Sequence, residues 1–239
     1  MTPVRVTGTL VAALLAAGLA TPPLVLAQST PGDASLRAGR ITLGAGLSWM
    51  GGYDIGEAEA RLRGNGVGAD APPFVLFRAA SSVEAVAGAE GRVSVGVTRD
   101  LAIEGGVTYA RPTIVTRVGG DPELLAGATL DAGRLRRYVF DVGATWQLPV
   151  AWAGGRLRPF VSGGAGHLRE LYDERTLVET GRVIQAGAGA RYFLRGGDGS
   201  RRAMGIRGDV RLAWRQDGVE FEGRTRRMPS VSVQLFVEP

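Results

Sequence analysis

Charged side chains recur at alternate positions through stretches that are otherwise apolar or rich in glycine. Carboxylates and arginines are mixed in this set, and arginines outnumber the acids. A set of this kind enclosed by protein must form ion pairs, because an isolated buried charge is very unfavourable. If it lined an open channel, the excess of arginine would favour anions. The set consists of Glu84, Glu90, Arg92, Glu104, Arg137, Asp141, Arg158, Arg191, Arg207, Asp209, Arg211 and Arg215.

His167 is the only histidine of the chain. A catalytic histidine needs a nucleophile within reach and a carboxylate that orients its ring. The residues that follow are Leu168, Arg169 and Glu170, so no serine stands two positions further on. Strand alternation also places His167 on the apolar face. We therefore predict an interfacial side chain and no catalytic role.

Cofactor and metal motifs are absent from the sequence. It has no cysteine, and its histidine and carboxylates do not form a recognisable metal-ligand pattern. Residues 64–68 read Gly-Asn-Gly-Val-Gly, but no helix pattern follows them, as a phosphate-binding loop would require. We predict no catalytic, cofactor-binding or metal residues, and we expect that the protein is not an enzyme.

The charged residues lie on segments with the period of a β-strand. In residues 83–98 the odd positions are apolar or glycine, whereas the even ones include Glu84, Glu90 and Arg92. The same alternation predicts strands at 41–50, 101–110, 137–148, 157–166, 183–194, 204–215 and 230–237. About eight strands of about ten residues predict an all-β fold, an antiparallel up-and-down transmembrane β-barrel with a polar interior.

The N-terminus is typical of a secretory signal peptide. Arg5 precedes an apolar run, and small residues precede a predicted cleavage between Ala27 and Gln28. An N-terminal membrane anchor is the alternative, but the apolar run is short and prolines follow it. The predicted organisation is a signal peptide at 1–27, a periplasmic lead at 28–40 and a single barrel domain at 41–239.

Connection lengths and aromatic residues predict how the barrel is oriented. Links at 99–100, 149–156 and 196–203 are compact, whereas those at 53–82, 118–134, 171–182 and 216–227 are mostly longer. Short periplasmic turns and longer outer loops are typical of such barrels. Aromatic side chains on the apolar face are expected at the two membrane interfaces. They are Trp49, Tyr109, Tyr138 and Trp214 at the outer ends of their strands, and Trp146 and Tyr192 at the periplasmic ends.

The formal charge of +5 comes entirely from arginine, because the sequence contains no lysine. The arginines are spread along the chain and interleaved with acids, whereas a nucleic-acid surface would be more segregated. We therefore predict no nucleic-acid partner.

Three segments carry a resemblance to a known family. Residues 157–166 read Leu-Arg-Pro-Phe-Val-Ser-Gly-Gly-Ala-Gly, Gly-x-Gly strands recur as at 186–190, and residues 231–236 read Val-Ser-Val-Gln-Leu-Phe. This pattern resembles the small eight-stranded outer-membrane barrels of the OmpA/OmpX type. The resemblance implies location in a Gram-negative-type outer membrane, insertion by the barrel-assembly machinery, and contact with outer-membrane lipid and lipopolysaccharide.

A filled barrel conducts little, so the expected role is envelope integrity or surface interaction through the outer loops. A porin-like, anion-leaning pore for small solutes is the alternative. A soluble periplasmic barrel that binds a ligand on an apolar interior comes third, and an outer-membrane lipid enzyme fourth. The apolar run at 72–77 either extends the first hairpin or forms a partner-binding patch. Loop arginines that could contact lipopolysaccharide phosphates are Arg61, Arg63, Arg175, Arg224 and Arg226.

Overall fold

The computed structural model describes residues 38–62, 74–120, 128–173, 177–196, 202–219 and 225–239. The predicted signal peptide, its cleavage site at Ala27 and Gln28, and most of the periplasmic lead lie outside these residues. Arg63, Arg175 and Arg224 lie outside them as well. Within the described ranges, no helix has the length and apolarity needed to cross a membrane.

The described chain contains the following strands, numbered in sequence order. They are β1 (Ile41–Met50), β2 (Tyr53–Leu62), β3 (Phe74–Val83), β4 (Val86–Gly96), β5 (Leu101–Ala110), β6 (Thr113–Gly119), β7 (Ala128–Gln147), β8 (Leu157–Tyr172), β9 (Val178–Arg195), β10 (Ala203–Asp217) and β11 (Arg226–Glu238).

Eight of these strands close into an antiparallel barrel. Their order around the wall is β1-β4-β5-β7-β8-β9-β10-β11, and β11 pairs back with β1. The other three, β2, β3 and β6, join the first part of β7 in a sheet that extends beyond one end of the barrel. We call that end the upper end and the opposite one the lower end. The all-β barrel predicted from the sequence is confirmed.

The prediction of one strand at 83–98 is wrong at its beginning, because Val83 belongs to a different strand from the residues that follow. β3 ends at Val83, β4 begins at Val86, and the chain changes sheet between them. Similar breaks occur between β1 and β2, at Gly51 and Gly52, and between β5 and β6, before Thr113. The backbones approach closely there, since a Cβ on Gly52 would lie 2.5 Å from the carbonyl oxygen of Val83. The long loops predicted at 53–82 and 118–134 therefore contain strand, and the first hairpin extends above the barrel.

The two faces of the barrel wall differ sharply in chemistry. Apolar side chains point outward and stay exposed: Leu47 keeps 71% of its surface and Val142 keeps 64%. Along the middle of the barrel, glycine, serine and charged residues point inward. This arrangement is the reverse of a soluble barrel, in which the apolar face is buried. The alternative of a soluble barrel with an apolar ligand-binding interior is therefore wrong for the described residues.

The interior is layered from one end to the other. An apolar cluster fills the upper part, and charged side chains fill the middle. Phe193, Ala203 and Phe236 form a small apolar layer near the lower end, where the two rings meet edge to face at 5.3 Å. The upper cluster consists of Met50, Tyr53, Ile55, Val83, Ala110, Ile114, Leu135, Val139, Leu168, Val183, Ala213, Val219 and Met228.

Candidate functional site

The charged residues predicted to face the lumen do so with one exception. Eleven of the twelve are buried inside the barrel. Glu84 is wrong: it is exposed in the break between β3 and β4, where its backbone N–H donates to the carbonyl of Thr113 at 3.0 Å. The break shifts the alternation, so that Val83, predicted to face outward, is buried instead. The prediction failed because it continued one strand through a change of sheet.

Glu104 on β5 is the centre of the middle layer. Its carboxylate accepts from Arg207 Nη1 at 2.6 Å and from Arg191 Nη2 at 3.0 Å, and it lies 3.5 Å from Arg92 Nη1. These arginines come from strands on opposite sides of the barrel, β4, β9 and β10. One carboxylate therefore holds the two walls together across the lumen.

Three further acids complete the middle layer. Arg92 binds Glu90 through Nε at 2.5 Å and Asp141 through Nη2 at 3.1 Å. Arg211 joins Glu90 at 2.7 Å to Asp209 at 2.6 Å. Each of these acids therefore contacts at least one buried arginine, as buried charges require.

Asp209 also accepts from Arg207 Nε at 3.0 Å. Gln185 donates to Asp141 at 2.8 Å, and the Ser232 hydroxyl donates to Asp209 at 3.2 Å. A cavity of about 10 Å³ remains beside this network, with Arg92, Glu104, Asp141, Gln185 and Arg211 among its lining residues. That volume is enough for about one water molecule. Every acid of the described middle layer is thus paired and little space remains beside them, whereas Arg191 Nη1 and Arg207 Nη2 are buried without a hydrogen-bond partner.

A second charged cluster lies higher in the lumen, inside the apolar layer. Glu170 on β8 has no exposed surface, and it accepts from Arg137 Nη2 at 2.6 Å and Arg215 Nη2 at 2.7 Å. The hydroxyl of Tyr53 accepts from both arginines and lies 3.3 Å from Glu170. The backbone N–H of Val219 donates to the same carboxylate at 3.1 Å. The cluster fastens β2 and the end of β10 to the barrel.

Glu170 and Tyr53 were missed by the sequence interpretation. Continuing the alternation of 157–166 along β8 turns Leu168 and Glu170 inward, so a longer predicted strand would have found Glu170. Tyr53 had no such signal, because the break at Gly51 and Gly52 changes the parity between β1 and β2.

Arg158 and the aromatic rings make up the lower part of the charged interior. Arg158 Nε donates to the carbonyl of Gly155 at 3.1 Å, and its guanidinium lies 5.1 Å from the centre of the Phe193 ring. Arg207 and Arg191 lie 4.5 and 5.8 Å from the ring centre of Phe160. Cation–π contacts of this kind help to hold buried guanidinium groups.

His167 points outward from β8 and is exposed. Its partners across the sheet are Phe140 on β7 and Arg182 on β9, so neither a serine nor a carboxylate stands beside it in the ladder. Among the residues that the structure describes, no three histidine or acidic side chains group closely enough to hold a metal ion. The described side chains can fill the lumen, connect its walls through ion pairs and give it an excess of positive charge.

The six predicted interface aromatics lie on the outer wall at two levels. Near the upper end, the ring centres of Tyr109 and Tyr138 lie 5.0 Å apart. Tyr138 is directly across from Arg169 on β8. Near the lower end, Trp146 pairs with Leu101 and Val161. The others are Trp49 and Trp214 at the upper level and Tyr192 at the lower one.

Ion pairs at the upper rim lie above the barrel wall. Asp173 accepts from Arg111 Nη2 and from Arg136 Nε, each at 2.5 Å. The hydrogen bond from Arg111 holds the pKa of Asp173 below its usual range, and Arg136 adds to this effect. In the extended sheet, the hydrogen bond from Arg61 likewise lowers the pKa of Glu59.

No family model and no curated protein matches the chain. Among solved structures, Neisserial surface protein A superposes with a TM-score of 0.48 at 10% identity, over 82% of this chain and 94% of its own. The outer membrane protein OprG from Pseudomonas aeruginosa superposes with a TM-score of 0.47 at 10% identity, over 86% of this chain and 97% of its own. The outer membrane protein AlkL superposes with a TM-score of 0.36 at 14% identity, over 84% of this chain and 90% of its own. Identity this low carries no information about activity.

Proposed function

We propose that the protein is an outer-membrane barrel that braces the envelope and displays its upper sheet at the cell surface, and that it is neither an open channel nor an enzyme. The observation that supports this best is the reversed burial: exposed leucines and valines surround a lumen of buried, paired arginines and carboxylates. Only a lipid environment makes such an outer wall favourable.

The spacing of the aromatic residues fits a bilayer. Tyr138 and Trp146 lie eight residues apart on β7, which is about 27 Å along a strand. With a strand tilt of about 40°, this separation corresponds to a height of about 20 Å. The apolar band of membrane barrels is about 25 Å tall, with aromatic girdles at both edges. The extended sheet continues from the upper end, whereas β1 begins and β11 ends at the lower one, so in this proposal the upper end faces outside and the lower end the periplasm.

A filled lumen supports a structural role over a pore. The ion pairs of Glu104 and Glu170 cross the barrel at two levels, and apolar side chains close the space around the upper one. An ion would have to displace Arg92 and Arg211, each of which contacts two or more carboxylates. The anion-leaning pore remains the alternative because arginines exceed acids in the lumen.

The decisive test combines fractionation with single-channel recording. We expect the native protein in the outer-membrane fraction, with a faster-migrating band when it is not boiled. We also expect no sustained conductance in planar bilayers. Recovery in the soluble periplasmic fraction would contradict the membrane assignment, whereas a stable anion-selective current would favour the pore. An Arg92→Ala/Arg211→Ala variant, which opens the middle layer, shows that the recording can detect a widened lumen.

The surface role rests on the sheet formed by β2, β3, β6 and the first part of β7. Apolar side chains are exposed there, among them Leu62, Val75 and Leu130. Changing these three to serine should weaken adhesion of cells that carry the protein without reducing the faster-migrating band. Unchanged adhesion would leave envelope bracing as the role. Insertion by the barrel-assembly machinery stays a prediction that follows from the proposed location.

A further inference from the structure

β2 forms an open edge of the sheet that extends above the barrel. It pairs with β3 on one side, and no described strand pairs with it on the other. Near its beginning, Arg226 Nη2 donates to the carbonyl of Ile55 at 3.3 Å. From Gly56 to Leu62 the backbone makes no described hydrogen bond on the open side. Unpaired N–H and C=O groups along a strand edge are a template for a further strand.

The backbone of this edge is regular. Edge strands are commonly interrupted by a bulge or by proline, either of which prevents pairing with another chain. β2 contains neither between Gly56 and Leu62, because the register shift after Ala60 adds its extra residue to β3. The opposite edge of the sheet, the first part of β7, has a register shift beside Gly133, whose φ is +114°. β2 is therefore the better edge for a partner strand.

The charges along β2 are complementary to themselves. Glu59 Oε2 accepts from Arg61 Nη2 at 2.8 Å, so the two side chains share a face. If a second β2 lies antiparallel to the first with Ala60 on the two-fold axis, each Glu59 is directly across from the Arg61 of the other copy. On the other face, Ala58 is across from Leu62. Opposite charges directly across from each other stabilise a strand pair.

A parallel pair of the same strands is unfavourable. Two-fold symmetry about an axis along the strands would place each residue beside its own copy. Glu57 would then lie beside Glu57, and Glu59 beside Glu59. Like charges that lie directly opposite each other destabilise a sheet. The order of the charges therefore selects the antiparallel arrangement.

The direction of β2 decides where the second copy must be. β2 continues from the upper end of β1 and runs away from the barrel wall. In an antiparallel pair the second β2 runs toward that wall, so its barrel is inverted and belongs to an opposing membrane. Ala60 lies ten residues beyond Met50. This is about 33 Å along a strand and about 25 Å in height at a tilt of about 40°, so the two barrel walls would be about 50 Å apart.

We infer that β2 pairs antiparallel with β2 of a second copy on a neighbouring cell, so that the protein joins two outer membranes. The inference rests on the proposed display of the upper sheet and names its partner. The pairing also covers Leu62, which is 48% exposed. A single pair of short strands binds weakly. Many copies on each cell strengthen the contact through avidity.

Mixed cultures of cells that carry the full-length protein test this pairing. The chain contains no cysteine, so Ala60→Cys introduces a single thiol on the expected two-fold axis. Two cultures carry this variant with different epitope tags and are mixed with a short bifunctional thiol cross-linker. We expect a dimer that contains both tags, which requires contact between cells. The matched control is Ala80→Cys, at an exposed position of β3 away from the open edge.

Exchange of charges tests the register. Glu59→Arg alone and Arg61→Glu alone each place like charges across the axis. Cells that carry either variant should bind one another about tenfold more weakly than wild type, since two pairs in each contact change from attraction to repulsion. A mixture of the two variants restores both pairs, so aggregation should return. Mixing would not rescue a residue that acts only within its own chain.

The outcomes separate the pairing from the membrane location. Absence of a dimer with both tags, equal cross-linking by Ala80→Cys, or equal aggregation of all charge variants would overturn the inference. The faster-migrating band of the outer-membrane fraction shows that a variant is folded. If Glu59→Arg or Arg61→Glu lacks this band, the result with Ala60→Cys decides. Absence of wild type from the outer-membrane fraction would contradict the membrane location, and the inference with it.

Discussion

Replacing Glu170 with glutamine should destabilise the barrel more than the same substitution at an exposed glutamate. The carboxylate has no exposed surface and is the only acid in contact with Arg137 among the described residues. Glutamine keeps the shape but loses the charge, and its amide group would turn donors toward guanidinium groups that also donate. Removing one partner of a buried ion pair costs about 3–5 kcal/mol. The unfolding equilibrium should therefore shift by more than about 100-fold.

Equilibrium unfolding in urea, with the protein inserted in lipid vesicles, measures this shift through tryptophan fluorescence and gel mobility. Glu59→Gln is the matched control, because Glu59 contacts Arg61 and Arg78 at the surface of the extended sheet. Such exposed pairs contribute little to stability, because solvent screens their charges. A Glu170→Gln variant within about 1 kcal/mol of wild type would refute the reasoning, since it would mean that water, and not Glu170, balances the two arginines.

Three further changes test the wall, the strand packing and the rim. Val142→Arg, in the middle of the apolar wall, should reduce stability in vesicles by about 2–4 kcal/mol, and no loss would contradict the lipid contact. Gly164→Val should prevent closure between β7 and β8, because its Cβ would lie 2.6 Å from the carbonyl oxygen of Val142; a normal faster-migrating band would contradict this. Asp173→Asn should flatten the acid dependence of stability. The lowered pKa of Asp173 means that its pairing stabilises the fold above the unfolded-state pKa of about 4 and is lost as pH falls through the folded-state pKa. An unchanged profile from pH 2 to 6 would show that Asp173 does not contribute.

The two charged clusters in the lumen differ in how many partners their members share. Around Glu104 the acids and arginines share several partners, so the loss of one contact leaves others: Arg92 also binds Glu90 and Asp141. Around Glu170 a single carboxylate contacts both Arg137 and Arg215 within an apolar layer. We therefore expect the middle layer around Glu104 to tolerate substitution better than the cluster around Glu170.

The sequence by itself determined the architecture and the chemistry of each face. A period of two decides which side chains share a face, whatever the neighbouring strands are, and a shift of one residue would reverse every side chain. For this reason β1 and β5 have the predicted bounds, and the charged set from Glu90 to Arg215 points inward. The aromatic residues at both levels follow from the same alternation.

Only the tertiary structure decided where the chain leaves the barrel and what closes its upper end. The breaks after Met50, Val83 and Ala110 depend on which strands become neighbours, and each break resets the alternation. Glu84 was misplaced and Tyr53 overlooked for this reason. The cluster of Tyr53 with Glu170 joins residues 117 positions apart, and a contact of that range depends on how β2 packs over the barrel, which no local period encodes.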